Sequence, residues 1–486
     1  ADSGAKVVFG GAVSMTTTLA DIQITNAANA GTVDSVTVAM EKESGGASLA
    51  VAGFGVDNVE TVSLEVKGVQ ASGDIISLGD IDGAQLQTIN LTSTAGSTAG
   101  VANVAESLTI TTVESTLLKT FDATGYNGVL DITGLATKFS ALGATITGSS
   151  AANTITGGVG ADLIVTGAGA DTILGGTGND DVTSGGGIDT VLASTALDAT
   201  PEKSTATYTE TSLITGDDIM ITIFGKLFTQ DISTSVLAKD TLGEAAALLA
   251  ATINADPDVG QLVTASGSAG SANVGVLAVE AIVDGNFVDF AVSNNGLTSG
   301  TDVNVQGTDS TSIDTVSLGA GADFVHTGGG IDVVDLGSVD SAADTVYILT
   351  VADGADVITN FEAGVIGTDV ITFGQDIINN GITVATLVSI TNAGATTATG
   401  GFFEITTATA AGAADTAAEI VTALTNVTLT SIASGDDIVF AVNDAADTYL
   451  WHFIEDGSAG IQADDLALVG VLKGVTNIAD GDLAFI

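Results

Sequence analysis

The chain contains no cysteine, no arginine, two prolines and two histidines, and its only basic residues are nine lysines. Without cysteine there is no disulfide, no thiolate nucleophile and no cysteine-based zinc or iron–sulfur site. His326 and His452 stand 126 residues apart, so the paired-histidine helix of a zinc protease cannot be assembled. Nine lysines against 59 Asp+Glu leave a formal net charge of −50. That denies nucleic acid and anionic lipid the basic surface they require, and it makes divalent cations the natural counter-ions. No apolar run approaches the ~18 residues of a membrane-spanning helix. The chain opens at Ala1 without a basic stretch followed by an apolar one, as expected of a mature or trimmed form.

What is present is a chain of 486 residues, 45% of them hydrophobic. Acidic disordered proteins are poor in apolar residues, whereas this composition can build cores, and the length predicts several modules. Glycine is abundant (62 residues) and aromatics are only 4%, which favours a thin, stacked core. Runs such as Thr61–Val66, Leu86–Leu91 and Leu108–Thr111 alternate apolar with polar and are separated by Gly, Asn, Asp and Ser. This pattern predicts many short strands, so a mainly β chain is expected, with a β-solenoid over 1–147.

Residues 148–192 change character and read in nines: GSSAANTIT, GGVGADLIV, TGAGADTIL, GGTGNDDVT and SGGGIDTVL. Asn153, Asp162, Asp171, Asp180 and Asp189 recur without a slip, each followed two positions later by Ile155, Ile164, Ile173, Val182 or Val191. A shorter echo at 318–334 holds Asp323 and Asp332, preceded by Asp314. The unit matches the G-G-x-G-x-D-x-U-x repeat of a calcium-binding parallel β-roll. Glycines supply tight turns whose carbonyls converge on an ion, aspartate adds a charged oxygen, and Ca²⁺ takes six to eight such ligands. The β-branched residue points into the roll. Two units make one turn, so neighbouring turns are expected to clasp one ion between Asn153 and Asp171, Asp162 and Asp180, and Asp171 and Asp189. Asp171 alone serves two of these sites. The candidate ligands are Asn153, Gly158, Gly160, Asp162, Gly167, Gly169, Asp171, Gly176, Gly178, Asp180, Gly185, Gly187 and Asp189. In the second block they are Asp314, Gly319, Gly321, Asp323, Gly328, Gly330 and Asp332. Asn153 opens the series without its glycines, which makes the outermost site weak or empty. The competing reading is a metal-free solenoid whose aspartates merely bond local backbone.

Between the two blocks, strand-like Ile219–Ile223 and Leu227–Thr229 precede a helical pattern over Thr241–Asn254, capped by Asp240 or Thr241 and ended by Pro257. A small α+β module is expected there. A second helix is predicted over Ala413–Thr425. The resulting boundaries are 1–147 strand-rich, 148–194 first roll, 195–305 inserted module, 306–346 second short roll, and 347–486 a C-terminal β-rich domain.

On these motifs the chain resembles RTX proteins, which are secreted by the type I route of Gram-negative bacteria. Asp356–Phe361 and Asp369–Phe373 resemble the segment that follows RTX blocks. The Gly/Ala/Thr-rich strands, with no Cys or Arg, resemble S-layer proteins of the RTX type. The resemblance implies an uncleaved C-terminal export signal, an extracellular or cell-surface location, and folding and lattice assembly triggered by calcium. It also implies lipopolysaccharide as anchor. A cysteine-free acidic chain suits that route, because self-repulsion keeps it expanded until calcium arrives.

Catalysis finds little support in the residues. The nearest approaches to a Gly-x-Ser-x-Gly elbow are Gly267–Gly270 and Gly457–Gly460, and Ser266 and Asp456 stand where the preceding glycine should be. His326 reads as an ordinary face residue of the roll, and His452 as part of an amphipathic strand with Tyr449, Trp451 and Phe453 in core packing. Asp436, Asp437, Asp444 and Asp447 read as a solvated loop face or an additional calcium site. The expectation is a calcium-dependent structural protein that is not an enzyme and that assembles with itself into an S-layer or filament. The alternatives are the C-terminal part of a longer adhesin, or a carboxylate-based extracellular hydrolase.

Overall fold

The computed structural model describes residues 5–10, 34–42, 49–56, 58–68, 75–94, 107–194, 203–209, 218–223, 226–231, 242–257, 259–271, 274–281, 291–295, 299–305, 313–337, 342–364, 369–374, 377, 387–390, 396–397, 402–405, 414–424, 429–430, 437–457, 461–479 and 481–485. Two compact units are formed. One comprises Ala1–Ser194, Ile313–Val325 and Asp335–Asp340, and the other Thr195–Ser312, His326–Val334 and Ser341–Ile486.

The first unit is a parallel β-solenoid, as the alternation predicts. One row of strands runs Ala5–Gly10, Ser35–Lys42, Thr61–Gly68, Thr88–Thr94, Thr120–Gly125, Thr145–Thr147, Leu163–Val165, Asp181–Thr183 and Thr315–Ser317. The other row runs Leu49–Gly55, Ile75–Asp82, Ser107–Val113, Val129–Asp131, Asn153–Thr156, Thr172–Gly176 and Thr190–Ser194. The chain passes from one row to the other and back at each turn. Period-two alternation aims every second side chain inward, and parallel register stacks like on like. Val36, Val62, Ile89, Phe121, Ile146, Ile164, Val182 and Val316 form one unbroken buried column. Turn length changes along this column. Thr120 pairs 32 residues back with Thr88, and Thr145 pairs 25 residues back with Thr120, whereas within the repeats the interval settles to 18. The irregular spacing upstream therefore does not interrupt the parallel register of the column.

The second repeat block continues the first in register. Asp181, Val182 and Thr183 pair with Thr315, Val316 and Ser317 in parallel, although a long excursion separates them in sequence.

Within the second unit, the excursion carries antiparallel sheets. Val263–Ser271, Val274–Ala281, Lys203–Thr209 and Ser299–Val305 form one sheet, and Lys226–Asp231, Asp218–Ile223 and Ala291–Asn295 another. The helix Leu242–Asn254 buries Leu242, Ala245, Ala246, Leu249 and Ile253. Gly267 and Gly275 let strands approach it so closely that a Cβ would collide with the Ala246 and Leu242 backbone. Asn254 closes the helix by accepting Ala265 N–H at 2.7 Å. The expected caps Asp240 and Thr241 lie outside the described residues.

The second predicted helix is shorter than expected, Ala417–Ala423. A capping box between Thr416 and Glu419 fixes its start, and Ala413 and Thr425 lie outside the described residues. The hairpin Asp437–Asn443 and Thr448–Ile454 is buried almost throughout, so the expected amphipathic strand around His452 is instead interior. Tyr449, Trp451 and Phe453 join Phe403, Phe440 and Ile438 in one core, and Trp451 Nε1 donates to the Ala414 carbonyl at 3.1 Å. Ser266 and Ser268 sit inside an antiparallel strand, not on the strand-to-helix turn a serine nucleophile needs. Ser458–Gly460 lie outside the described residues.

Candidate metal centre

Each repeat aspartate is the residue before, or at the start of, a short strand, and β-sheet register carries it beside its equivalent one turn away. The three expected pairs are brought together, but not as carboxylate facing carboxylate. Asn153 N–H donates to Asp171 Oδ1 at 2.7 Å, Asp162 N–H to Asp180 Oδ1 at 2.8 Å, and Asp171 N–H to Asp189 Oδ1 at 2.9 Å. The ladder continues into the second block, where Asp180 and Asp189 each donate at 2.7 Å to Asp314 and Asp323. The expected clasp is thus corrected in one respect: one oxygen of each carboxylate is already engaged by the preceding turn's backbone.

The second oxygen tests whether calcium fits. Oδ2 of Asp171 and of Asp189 is buried without a hydrogen-bond partner, an arrangement costly for a charged group unless a cation supplies the missing interaction. Burial pushes the Asp171 carboxyl above the ordinary carboxylate range, opposed by the nearby Thr166 hydroxyl and by Asn153 and reinforced by the charge of Asp189. The Thr166 hydroxyl eases this carboxylate without satisfying it, since its proton goes to the Ser184 carbonyl at 2.5 Å. Burial likewise raises Asp189, opposed by the Asp171 N–H and the nearby Ser184 hydroxyl.

The turns supply the rest of the donor set. Gly185 and Gly187 hold φ of 96° and 143°, a backbone that side chains other than glycine's rarely adopt. A Cβ on either would strike the carbonyl of Gly167 or Gly169. Gly176 and Gly178 share this left-handed backbone. Gly158, Gly160, Gly167, Gly169 and Gly319 do not, so left-handed turns begin with the fourth unit. Gly319 and Gly321 press on Gly185 and Gly187 in the same way, and Gly328 and Gly330 are left-handed. Among the described residues no three acidic or histidine side chains cluster as a metal site. An ion here would therefore draw its remaining oxygens from turn carbonyls, which is the hard-ligand chemistry calcium prefers.

Five aspartates were missed because they fall outside the nine-residue phase of the two repeat blocks. Asp332 N–H donates to Asp356 Oδ1 at 2.9 Å, and Asp344 N–H to Asp369 Oδ1 at 3.0 Å. Asp356 also accepts the Thr327 hydroxyl at 2.9 Å. Burial, followed by the charge of Asp332, pushes its carboxyl well above the usual range. Asp353 and Asp482 cap local turns. The signal for Asp344, Asp356 and Asp369 was the surviving D-x-U fragment: Asp344-Thr345-Val346, Asp356-Val357-Ile358 and Asp369-Val370-Ile371.

The remaining singled-out residues do other work. His326 is buried, not facial, with Nε2 3.3 Å from Asp353 Oδ2. The buried His452 ring lies 3.4 Å from Asp437 Oδ1. Asp436 lies outside the described residues. Asp444 turns its chain by accepting Asp447 N–H at 2.8 Å, and Asp447 pairs with Lys473 at 2.8 Å. That group is therefore dispersed over separate partners.

A family model for the RTX calcium-binding nonapeptide repeat matches residues 144–173, 156–191 and 308–338. No curated protein and no solved structure matches the chain.

Proposed function

We propose that this chain, an RTX-repeat protein whose nonapeptides bind calcium ions, is a secreted structural protein that assembles with itself at a bacterial cell surface. The observation that carries this reading is the unsatisfied inner edge of the roll. Buried carboxylate oxygens on Asp171 and Asp189, in a chain of net charge −50, couple folding to a cation that is scarce inside cells and plentiful outside. When bound, calcium supplies positive charge and coordination to those oxygens. The chain's own residues do the rest: the N–H ladder orients each carboxylate, the glycine turns bring carbonyls to it, and the Ile and Val column fixes the spacing. A rigid coil with long polar faces is a sound strut for a lattice or filament. Within the chain, 195–305 is read as a displayed module, and 347–486 as the region that carries the export signal. Lipopolysaccharide is the proposed anchor, and no catalytic role is assigned. No helix among the described residues is long and apolar enough to cross a membrane.

The test is electron microscopy of the purified chain before and after millimolar calcium. Ordered sheets or filaments that dissolve on chelation are expected. Persistence as a monomer across the calcium range would overturn the assembly reading while leaving calcium binding intact.

A further inference from the structure

The repeat aspartates fall into two classes, although sequence makes them equivalent. Asp162 has both oxygens engaged by backbone: Oδ1 accepts Ala144 N–H at 2.6 Å and Oδ2 accepts Gly158 N–H at 2.6 Å. The second of these bonds comes from four residues upstream within the same turn. One unit earlier, Asn153 makes the same local bond, accepting Ser149 N–H at 2.9 Å. An uncharged amide, a weak calcium ligand, thus performs at Asn153 the task the carboxylate performs at Asp162. Asp171 and Asp189 have no such local bond, and their Oδ2 atoms are buried without a partner. Short N–H bonds to a carboxylate are charge-assisted, so removing them to admit an ion is costly. Where an oxygen is left open, an ion adds an interaction and displaces none.

We infer that Asn153 and Asp162 form a metal-free cap on the roll, that calcium dependence begins at Asp171, and that Asp162 serves as a turn cap and not as a ligand. The coil preceding the cap is thereby joined to the calcium-dependent turns through residues that hold their geometry whether or not the ion is present. This depends only on calcium binding by the repeats and is independent of whether the chain assembles at a surface.

Two variants test it on the full chain, with Ca²⁺ itself as the probe. Isothermal titration of Asp162→Asn is expected to return the parent number of bound ions with affinity within about twofold, while its stability falls equally in calcium and in chelator, because an amide oxygen can keep only one of the two N–H bonds Asp162 accepts. Asp189→Asn is expected to lose at least one ion and to lower the melting temperature in calcium but not in chelator. Loss of an ion from Asp162→Asn, or full retention by Asp189→Asn, overturns the assignment. Should a variant fail to fold, hydrogen exchange on the parent chain decides. The Ala144 and Gly158 amides are expected to keep their protection after chelation while that of Asp171 falls by at least tenfold. Equal loss at all three overturns the cap.

Discussion

The turns just before the repeats and the turns within them share one coil but are held by different means. Between residues 107 and 147 the corners are long and apolar, with Tyr126, Leu135 and Phe139 buried at them beside the strand residues Phe121 and Leu130. Acidic residues there stay outside. Asp122 and Asp131 are exposed or half-buried and bond only their own turns, through Thr124 and Thr133. Within the repeats each strand contributes one inward side chain of the set Ile155, Ile164, Ile173, Val182 and Val191, and the corners hold glycine and buried aspartate. Shortening the turn to 18 residues removes the room for apolar corners. Stability then has to come from what glycine and aspartate can bind. A solenoid can thus exchange hydrophobic corners for ionic ones without altering its strand register.

Calcium withdrawal is expected to separate the two regions most widely. For each site saturated at about 1,000 times its dissociation constant, loss of the ion removes about 4 kcal/mol from the folded state. Hydrogen exchange in chelator should deprotect the strands Thr172–Gly176 and Thr190–Ser194 while Ser107–Val113 remains protected. Uniform loss would show that the two regions are one cooperative unit held by metal throughout.

Next in size is the complementary lesion. Phe121→Ala deletes a fully buried ring from an upstream strand and is expected to cost about 3–5 kcal/mol, by the same amount in calcium and in chelator. Denaturant titration under both conditions checks this. A cost that appears only in calcium would place the metal's influence further upstream than the repeats.

The smallest expected effect is on pH. Burial raises the folded-state pKa of Asp162, Asp171 and Asp189 above their unfolded value, so the calcium-free fold binds more protons than the unfolded chain. Their contribution is fully present below the ordinary carboxylate value of 3.8 and is lost as pH rises through the raised folded values. Melting in metal-depleted buffer should therefore fall as pH increases across that window, and Asp171→Asn should flatten the slope. A melting temperature that climbs with pH in the absence of metal would contradict it.

The coil and its ligand edge were legible because both depend on period. Alternation along Thr61–Gly68 or Ser107–Val113 gives the inward face, and nine-residue spacing gives the ladder. Features set by tertiary context were not legible. His326 occupies a roll position by sequence, and only the packing of Asp353 beside it makes it interior. Thr448–Ile454 looks amphipathic, yet it is a central strand between Asp437–Asn443 and Leu466–Leu472 and is buried almost throughout. The second block looked detached because sequence distance says nothing of register, yet Val316 rests directly beside Val182. Asp356 and Asp369 were read only as part of the segment after the repeats because, although each keeps a glycine two residues before it, they fall out of the nine-residue phase.

The ladder has a direction. In every rung the amide belongs to the earlier turn and the carboxylate to the later one, from Asn153 and Asp171 through Asp189 and Asp323. Each turn is therefore latched only by its successor, and a truncated coil would always end on an unlatched turn, fraying from its downstream end. Asp356, reaching back to Asp332 from 24 residues away, and Asp369, reaching back to Asp344, keep the same direction outside the nine-residue blocks.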